Sequence, residues 1–361
     1  MRILLVIAGL GMGGAEHIVV NLADELVKLG HTVKIAYLTG SILVSPKSPK
    51  IELIPIGAIS AKNLFKAYFK LRSVVKDFKP DVVHSHMYHS NILSRLLRLT
   101  IRVPKLISTA HNTYEGGMFR MLAYRLTDKL ADISTNVSEQ AVNEFVRKGA
   151  VKSGRMITIS NGIDTNKFNF SSNERNTVRR ELAVGEKSIL LLSVGRLHIQ
   201  KDYQNLLNSV ALLKELRQDF KVFIAGDGPL KDGLYSLIKK LNLESFVELL
   251  GIRSDIPSLM SAADVFVLSS SWEGFGLVVA EAMSCERVVV ATDCGGVAEV
   301  VGNHGFLVEP KNHIELAKEL NKVLSMSKDK RFEIGSAARQ HIIENYPLEY
   351  NIKAYFKLYT V

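Results

Sequence analysis

The 361-residue chain has only two cysteines, Cys285 and Cys294, and their placement matches neither a metal-ligand pattern nor a disulfide framework. They read as reduced thiols. No apolar run approaches the ~18 residues of a membrane-spanning helix. The opening MRILLVIAGLGMGG has one Arg and a short apolar stretch that breaks into glycines and continues into a helical pattern. It reads as a buried first strand rather than a secretion signal. With 47% hydrophobic and 23% charged residues, the composition leaves no room for a long disordered tail. The length predicts two domains.

One further absence decides between function classes. Gly9, Gly11 and Gly14 in AGLGMGGAE follow an apolar strand and precede a helix, the spelling of a dinucleotide-binding loop. That function also needs an acid closing the second strand, to hold the ribose hydroxyls. The second strand, HTVKIAYLTG, ends in Tyr37, Leu38 and Thr39 without a carboxylate, and the next acid after Asp24 and Glu25 is Glu52. An NAD enzyme is disfavoured. What stays is a glycine loop on the C-terminal edge of a parallel sheet, either near an anion or simply a tight turn.

The net charge of +10 is unevenly placed. From Ala61 to Lys105 there are ten Lys and Arg, including Lys62, Lys66, Lys70, Arg95 and Arg98, against Asp77 and Asp81. Leu64, Tyr68, Leu71, Val75 and Phe78 form a helical apolar stripe here, with Phe65 and Phe69 beside it. Basic residues next to aromatics suit an anionic membrane surface; the alternative is a solvated helix face. No recognised nucleic-acid-binding motif accompanies the patch, and nucleic acid is not expected as a partner.

Apolar strand-like runs alternate with helical segments in two series, which predicts parallel sheets covered by helices. The polar stretch NFSSNERNTVRRELAVGEK between them reads as a linker. The expected organisation is a first α/β domain over residues 1–168, a linker over 169–187, a second α/β domain over 188–342 and a C-terminal helix over 343–361 that packs on either domain. A ligand cleft is expected where the strand C-termini of two doubly wound domains face each other.

Residues 271–285, SWEGFGLVVAEAMSC, place Glu273 in a glycine-containing loop after the strand DVFVLSS, and Glu281 eight residues later in a helix. The pair resembles the E-x7-E motif of retaining glycosyltransferases of the GT-B fold, in particular the large family 4 that builds bacterial surface polysaccharides. Other segments are similar to that family in order: GGAE at Gly13 to Glu16, TAHN with His111, ISNGID with Asn161, SVGRLHIQKDY with Gly195, Arg196 and Lys201, AGDGP with Gly226 and Gly228, and GGVAEVV from Gly295.

The resemblance implies an α/β GT-B fold of two Rossmann-like domains and a role for each matched residue. Arg196 and Lys201 would offset charge on a leaving diphosphate. Glu273 would contact the donor sugar, Glu281 would accept the ribose hydroxyls, and Gly274, Phe275, Gly276 and Leu277 would line the donor site with them. Gly13 and Gly14 would bring main-chain N–H groups to phosphate, Asn161 would belong to the donor site, and His111 would lie near the reacting sugar. Glu16 is placed with Lys62, Lys66, Lys70, Arg95 and Arg98 on the acceptor and membrane side.

The implied reaction moves a sugar from a nucleotide-sugar donor, with uridine favoured as base, to a polyprenyl-diphosphate-linked glycan. It would take place at an anionic inner-membrane surface, in surface polysaccharide (O-antigen, lipopolysaccharide or capsule) assembly, by a cytoplasmic, peripherally bound enzyme. No Asp-x-Asp occurs, which fits side-chain cations in place of a metal, and no cofactor is expected. His84, His86 and His89 lie within six positions, but DVVHSH reads as a strand rather than a metal site. Rival readings are a nucleotide-sugar 2-epimerase of the same architecture, a glycosidase using paired carboxylates, and a non-catalytic sugar- or nucleotide-binding protein.

Overall fold

The apolar run RILLVI forms β1 (Arg2–Ile7), and Ile3 to Ile7 are entirely withdrawn from solvent. Side chains on both faces are covered, as a central strand of a parallel sheet requires. The computed structural model describes residues 1–57, 63–185 and 187–360, divided into two units. The first comprises Met1–Gly162 with the chain from Glu349 onward; the second comprises Ile163–Leu348.

In the first unit β1 is followed by α1 (Gly14–Lys28), β2 (Thr32–Tyr37), β3 (Glu52–Pro55), α2 (Leu64–Phe78), β4 (Val82–His86) and α3 (Tyr88–Leu97). Then come β5 (Lys105–Thr109), α4 (Met118–Thr127), β6 (Ile133–Asn136), α5 (Glu139–Arg147) and β7 (Met156–Thr158). The seven strands are all parallel in the order 3-2-1-4-5-6-7. The order reverses between β1 and β4, so the loops after those strands diverge there and leave room for a ligand at their C-terminal ends. α2, α3 and α4 follow the crossovers running in one direction across the sheet, and each packs on the next.

In the second unit α6 (Ser172–Glu181) precedes β8 (Ile189–Val194), α7 (Tyr203–Leu213), β9 (Phe220–Ala225), α8 (Lys231–Lys240), β10 (Val247–Gly251) and α9 (Ile256–Ala262). β11 (Val265–Leu268), α10 (Leu277–Ser284), β12 (Val288–Thr292), α11 (Val297–Val301), β13 (Phe306–Val308), α12 (His313–Leu324) and α13 (Lys328–Asn345) follow. Its six parallel strands run 10-9-8-11-12-13, with the reversal between β8 and β11. Leu191, Val222, Val265 and Val290 share its core with Leu206, Val210, Leu316 and Leu320 of α7 and α12. Each such side chain contributes about 1.5–3 kcal/mol on burial.

Both units are thus the parallel α/β sheets expected from the alternating pattern. The stretch expected as a linker is different. Ser171 caps α6 by accepting from the Glu174 N–H at 3.3 Å. Arg175 Nη2 and Arg179 Nη1 grip Asp264 at 2.6 and 3.0 Å. The segment is polar because its inner side is held by two guanidinium groups on one carboxylate instead of an apolar stripe. Its residues belong to the second unit, which begins at Ile163. The last helix, α14 (Leu348–Thr360), starts after a break at α13's end. Its residues from Glu349 onward belong to the first unit, where Tyr355 is buried, Tyr359 Oη bonds His84 Nδ1 at 2.7 Å and Asn351 Nδ2 donates to Ser160 O at 2.6 Å.

Candidate active site

The second unit gathers its matched residues on the C-terminal rim of β8, β9, β11 and β12. β8 runs into Gly195 and Arg196, and β9 into Gly226 and Gly228. These two loops touch: Gly226 has φ +146°, and a Cβ there would lie 2.0 Å from the Gly195 carbonyl oxygen. Only glycine tolerates both the conformation and the approach. Hydrogen bonds from Gly195 N–H to Ala225 O (3.0 Å) and Leu197 N–H to Asp227 O (3.0 Å) fix the crossing. Arg196 projects from it, exposed and without an ion pair among the described residues.

A 3₁₀ turn over Ile199–Lys201 then returns Lys201 to the loop after β11. Its Nζ lies 2.6 Å from Glu273 Oε1, with side-chain exposures of 16% and 9%. The same oxygen accepts from Ser270 Oγ at 2.7 Å, and Oε2 accepts weakly from Gln200 Nε2 at 3.4 Å. The loop that carries Glu273 is wedged against Gly295, at φ +59°, where a Cβ would sit 2.0 Å from the Glu273 carbonyl oxygen. Gly296 N–H donates to Gly274 O at 3.0 Å. Gly276 caps α10 without a side-chain cap and Leu277 opens it, so the N–H groups of Leu277 and Val278 precede the first bonds of the helix, those of Val279 and Ala280 to Gly276 O at 2.9 and 3.3 Å.

Glu281 lies one turn into α10. Burial pushes its carboxyl group up to about 8, and the charges of Lys167 and Lys201 only partly oppose that. The carboxyl has no hydrogen-bond partner among the described residues, so its acceptor oxygens are uncommitted. The Phe275 side chain, expected on the donor, is 3% exposed, with its ring edge-on to Tyr346, so of this residue only the backbone is available to line a donor site. It anchors the loop from behind.

The first unit places its matched residues on the equivalent rim. Gly13 caps α1 and Gly14 begins it, but the Glu16 carboxylate folds back over Gly13, where any side chain would collide with it. An anion of the chain itself thus occupies this helix end. His111 follows β5. Its backbone N–H donates to Glu115 Oε1 at 3.1 Å, and its Nε2 lies 3.1 Å from Nδ1 of His86, the last residue of β4. Burial draws the His111 imidazole down to about 4, and burial with the neighbouring His84 and His111 draws His86 well below its ordinary value. Asn161, 6% exposed, has no partner for its Oδ1.

The histidine trio divides. His84 is bonded on both ring nitrogens, to Tyr359 Oη and Thr109 Oγ1 at 2.7 Å each, while His89 is exposed on α3. Among the described residues no group of three or more His, Cys, Asp or Glu is arranged to hold a metal ion. Sequence reasoning missed His86 as the partner of His111, and Ser270 and Gln200 as partners of Glu273. The polar ends of the adjacent strands were the available signal.

The basic segment is corrected in part. Arg95 is fully buried: its Nε donates to Ser108 Oγ (3.2 Å), Nη1 to Tyr124 O and Thr127 Oγ1 (3.2 Å each) and Nη2 to Ser134 Oγ (2.9 Å). Arg98 is tied to Asp132 and to Val103 O. Arg95 is therefore enclosed in the fold and cannot reach a membrane, whereas Arg98 is half-buried with its guanidinium committed to a surface ion pair. Lys66 and Lys70 are exposed, with Phe65 and Phe69 beside them at 73% and 51% exposure. Lys62 lies outside the described residues. No described helix is long and apolar enough to cross a membrane.

Comparison with known proteins gives this rim a family. Residues 12–167 match Glycosyltransferase Family 4 and residues 174–341 match Glycosyl transferases group 1. The chain belongs to the glycosyltransferases. The glycosyltransferase is 28% identical to the UDP-Gal:alpha-D-GlcNAc-diphosphoundecaprenol alpha-1,3-galactosyltransferase of Escherichia coli, over 80% of this chain and 76% of that protein. It is 27% identical to a 4-alpha-N-acetylgalactosaminyltransferase of Campylobacter jejuni named for an N,N'-diacetylbacillosaminyl-diphospho-undecaprenol acceptor, over 89% of this chain and 90% of that one. In structure it resembles HepE of Anabaena, solved with UDP and glucose, at a TM-score of 0.87 and 22% identity with both chains fully covered. The two parallel-sheet units are those of the GT-B fold.

Proposed function

We propose that this glycosyltransferase is retaining, and that it moves a sugar from a uridine diphosphate donor to a hydroxyl of a polyprenyl-diphosphate-linked glycan in surface polysaccharide assembly. The observation that carries the reading is the second unit's rim. There Lys201 and Arg196 supply positive charge beside Glu273, while Glu281 offers uncommitted acceptor oxygens one turn into α10. In this reading Glu281 receives the ribose hydroxyls, the N–H groups from Gly274 to Leu277 and the two cations meet the diphosphate, and Glu273 orients the sugar while holding Lys201 in place. The bond from the anomeric carbon to phosphate breaks, the acceptor oxygen bonds that carbon on the same face, and the acceptor's proton passes to the leaving phosphate oxygen. With two cations on the diphosphate, no divalent metal is required.

Relatives support the acceptor class: those from Escherichia coli and Campylobacter jejuni are named for undecaprenol-linked sugars, the former also for UDP-galactose. On the first unit's rim His111 and Asn161 serve the reacting sugar. The exposed Lys66 and Lys70 favour an anionic inner-membrane surface, where a peripheral cytoplasmic enzyme meets its lipid-linked acceptor.

Calorimetry against UDP-, GDP- and ADP-sugars and NAD tests the reading. One UDP-sugar should bind, at least about tenfold more weakly to Glu281→Ala, with EDTA leaving binding intact. Binding of NAD alone would overturn it, and release of an epimerised sugar without acceptor would replace it with the epimerase reading. The anomeric configuration of the product, read by NMR, decides retention.

A further inference from the structure

α4 is built inside out. Its buried side consists of Met121, Tyr124 and Thr127, at 4%, 0% and 9% exposure. On the outward side Met118, Phe119, Leu122 and Leu126 are exposed by 85%, 89%, 49% and 74%. At 100° per residue these four fall within about 100° of arc, a continuous apolar ridge about 12 Å long. A surface helix ordinarily turns polar side chains to water, and apolar patches of this kind mark an interaction site.

The charges around the ridge say what covers it. Arg125 flanks it, Lys129 stands just past its end, and both are exposed, while α4 itself contains no acid. From Asn63 to Leu130 there are twelve Lys and Arg against four acids, and of the twelve Arg95 is buried and Arg98 is ion-paired to Asp132. Two of those acids are engaged inward: Glu115 bonds the His111 N–H and Tyr124 Oη, and Asp128 is ion-paired to Arg155 at 3.1 Å. α4 lies in the helical layer that carries Phe65, Phe69, Lys66 and Lys70 on α2, and α3 packs against both. Apolar side chains that stand clear of the surface, ringed by cations, match a bilayer with anionic headgroups: the ridge enters the acyl boundary and the cations stay at the phosphates.

We propose that the outward ridge of α4, Met118, Phe119, Leu122 and Leu126 with Arg125 and Lys129, inserts into the surface of an anionic lipid bilayer. This deepens the reading of the enzyme as one that works on a lipid-linked acceptor. Its test is read without turnover, so loss of one reading leaves the other standing.

The experiment is co-sedimentation of the full chain with vesicles of phosphatidylcholine alone and of phosphatidylcholine with phosphatidylglycerol. Wild type should partition to the anionic vesicles. The variant Met118→Ser, Phe119→Ser, Leu122→Ser, Leu126→Ser should partition at least about tenfold less while keeping its circular dichroism, because the four side chains are solvent-exposed. Arg125→Glu with Lys129→Glu should reduce anionic binding and its salt sensitivity. Phe119→Trp should gain quenching by brominated lipid. Equal sedimentation of the Ser variant and wild type, or no wild-type binding to anionic vesicles, overturns the proposal. So does a variant that keeps vesicle binding but loses self-association in light scattering, which would assign the ridge to a second copy of the chain.

Discussion

His86 Nδ1 and His111 Nε2 face each other at 3.1 Å, and the other ring nitrogen of His86, buried, has no partner. Both rings are neutral, because burial holds His111 at about 4 and His86 well below the ordinary value. One must therefore donate and the other accept. If His86 carried its proton on Nε2, it would bury an orphaned N–H, which folded proteins avoid more strictly than an unmatched acceptor. The proton thus sits on His86 Nδ1, His111 accepts through Nε2, and its own proton is on Nδ1. His111 is then a neutral hydrogen-bond donor rather than a base. Nitrogen-15 NMR should show His111 as the Nδ1–H tautomer at pH 7, with His86→Phe shifting it toward a mixture. An Nε2–H tautomer in the wild type would refute the assignment.

Glu281 gives the fold a pH dependence of definite sign. Its pKa rises on folding from the usual carboxyl value to about 8, so the native chain holds that proton more tightly than the unfolded one. The associated stability is fully present below the unfolded pKa and is lost as pH climbs through the folded one. Glu281→Gln removes the titration. Wild type should therefore lose stability relative to the variant between about pH 5 and 9, by up to about 4 kcal/mol. Urea midpoints at pH 5, 7 and 9 measure this, and a constant difference across the three would contradict it.

The Lys201–Glu273 pair at 2.6 Å is largely withdrawn from water, so removing one member strands the other. Lys201→Met should destabilise by about 3 kcal/mol, and the double variant Lys201→Met with Glu273→Gln should cost less than the sum of the singles, a coupling of about 1–3 kcal/mol. Both singles should lower donor affinity. Additive costs in urea melts would mean that the pair does not act as a unit.

Much of this was legible in the sequence for physical reasons. β1 and β11 are near-continuous apolar runs, RILLVI and VFVL, which only a sheet covered on both faces accommodates. Glycines 195, 226 and 295 stand where backbones approach too closely for a side chain. What was not legible depends on pairing across long separations. A count of basic residues cannot tell Arg95, enclosed by Ser108, Thr127 and Ser134, from Lys66 in solvent; the polar ends of KLIST and ISTN were the only hint. The polar text of α6 hid a helix because Asp264, about ninety residues on, satisfies its arginines. No feature of MFRMLAYRLT stands out in the sequence, and only the structure shows which side of α4 the core takes.

That distinction predicts opposite behaviour for two substitutions of equal charge logic. Arg95→Ala removes four hydrogen bonds inside the first unit and leaves Ser134 and Ser108 without their donor, so it should cost about 3 kcal/mol. It should leave vesicle binding of the folded fraction unchanged. Lys66→Glu with Lys70→Glu alters two exposed side chains and should stay within about 0.5 kcal/mol of wild type. Its sedimentation with anionic vesicles should fall, and more so at low salt, where surface charge is least screened. Urea melts and sedimentation run in parallel separate the two. If Arg95→Ala were neutral in stability yet lost vesicle binding, the basic segment would have to act as one lipid-facing surface, and the burial of Arg95 would be the wrong guide to its role.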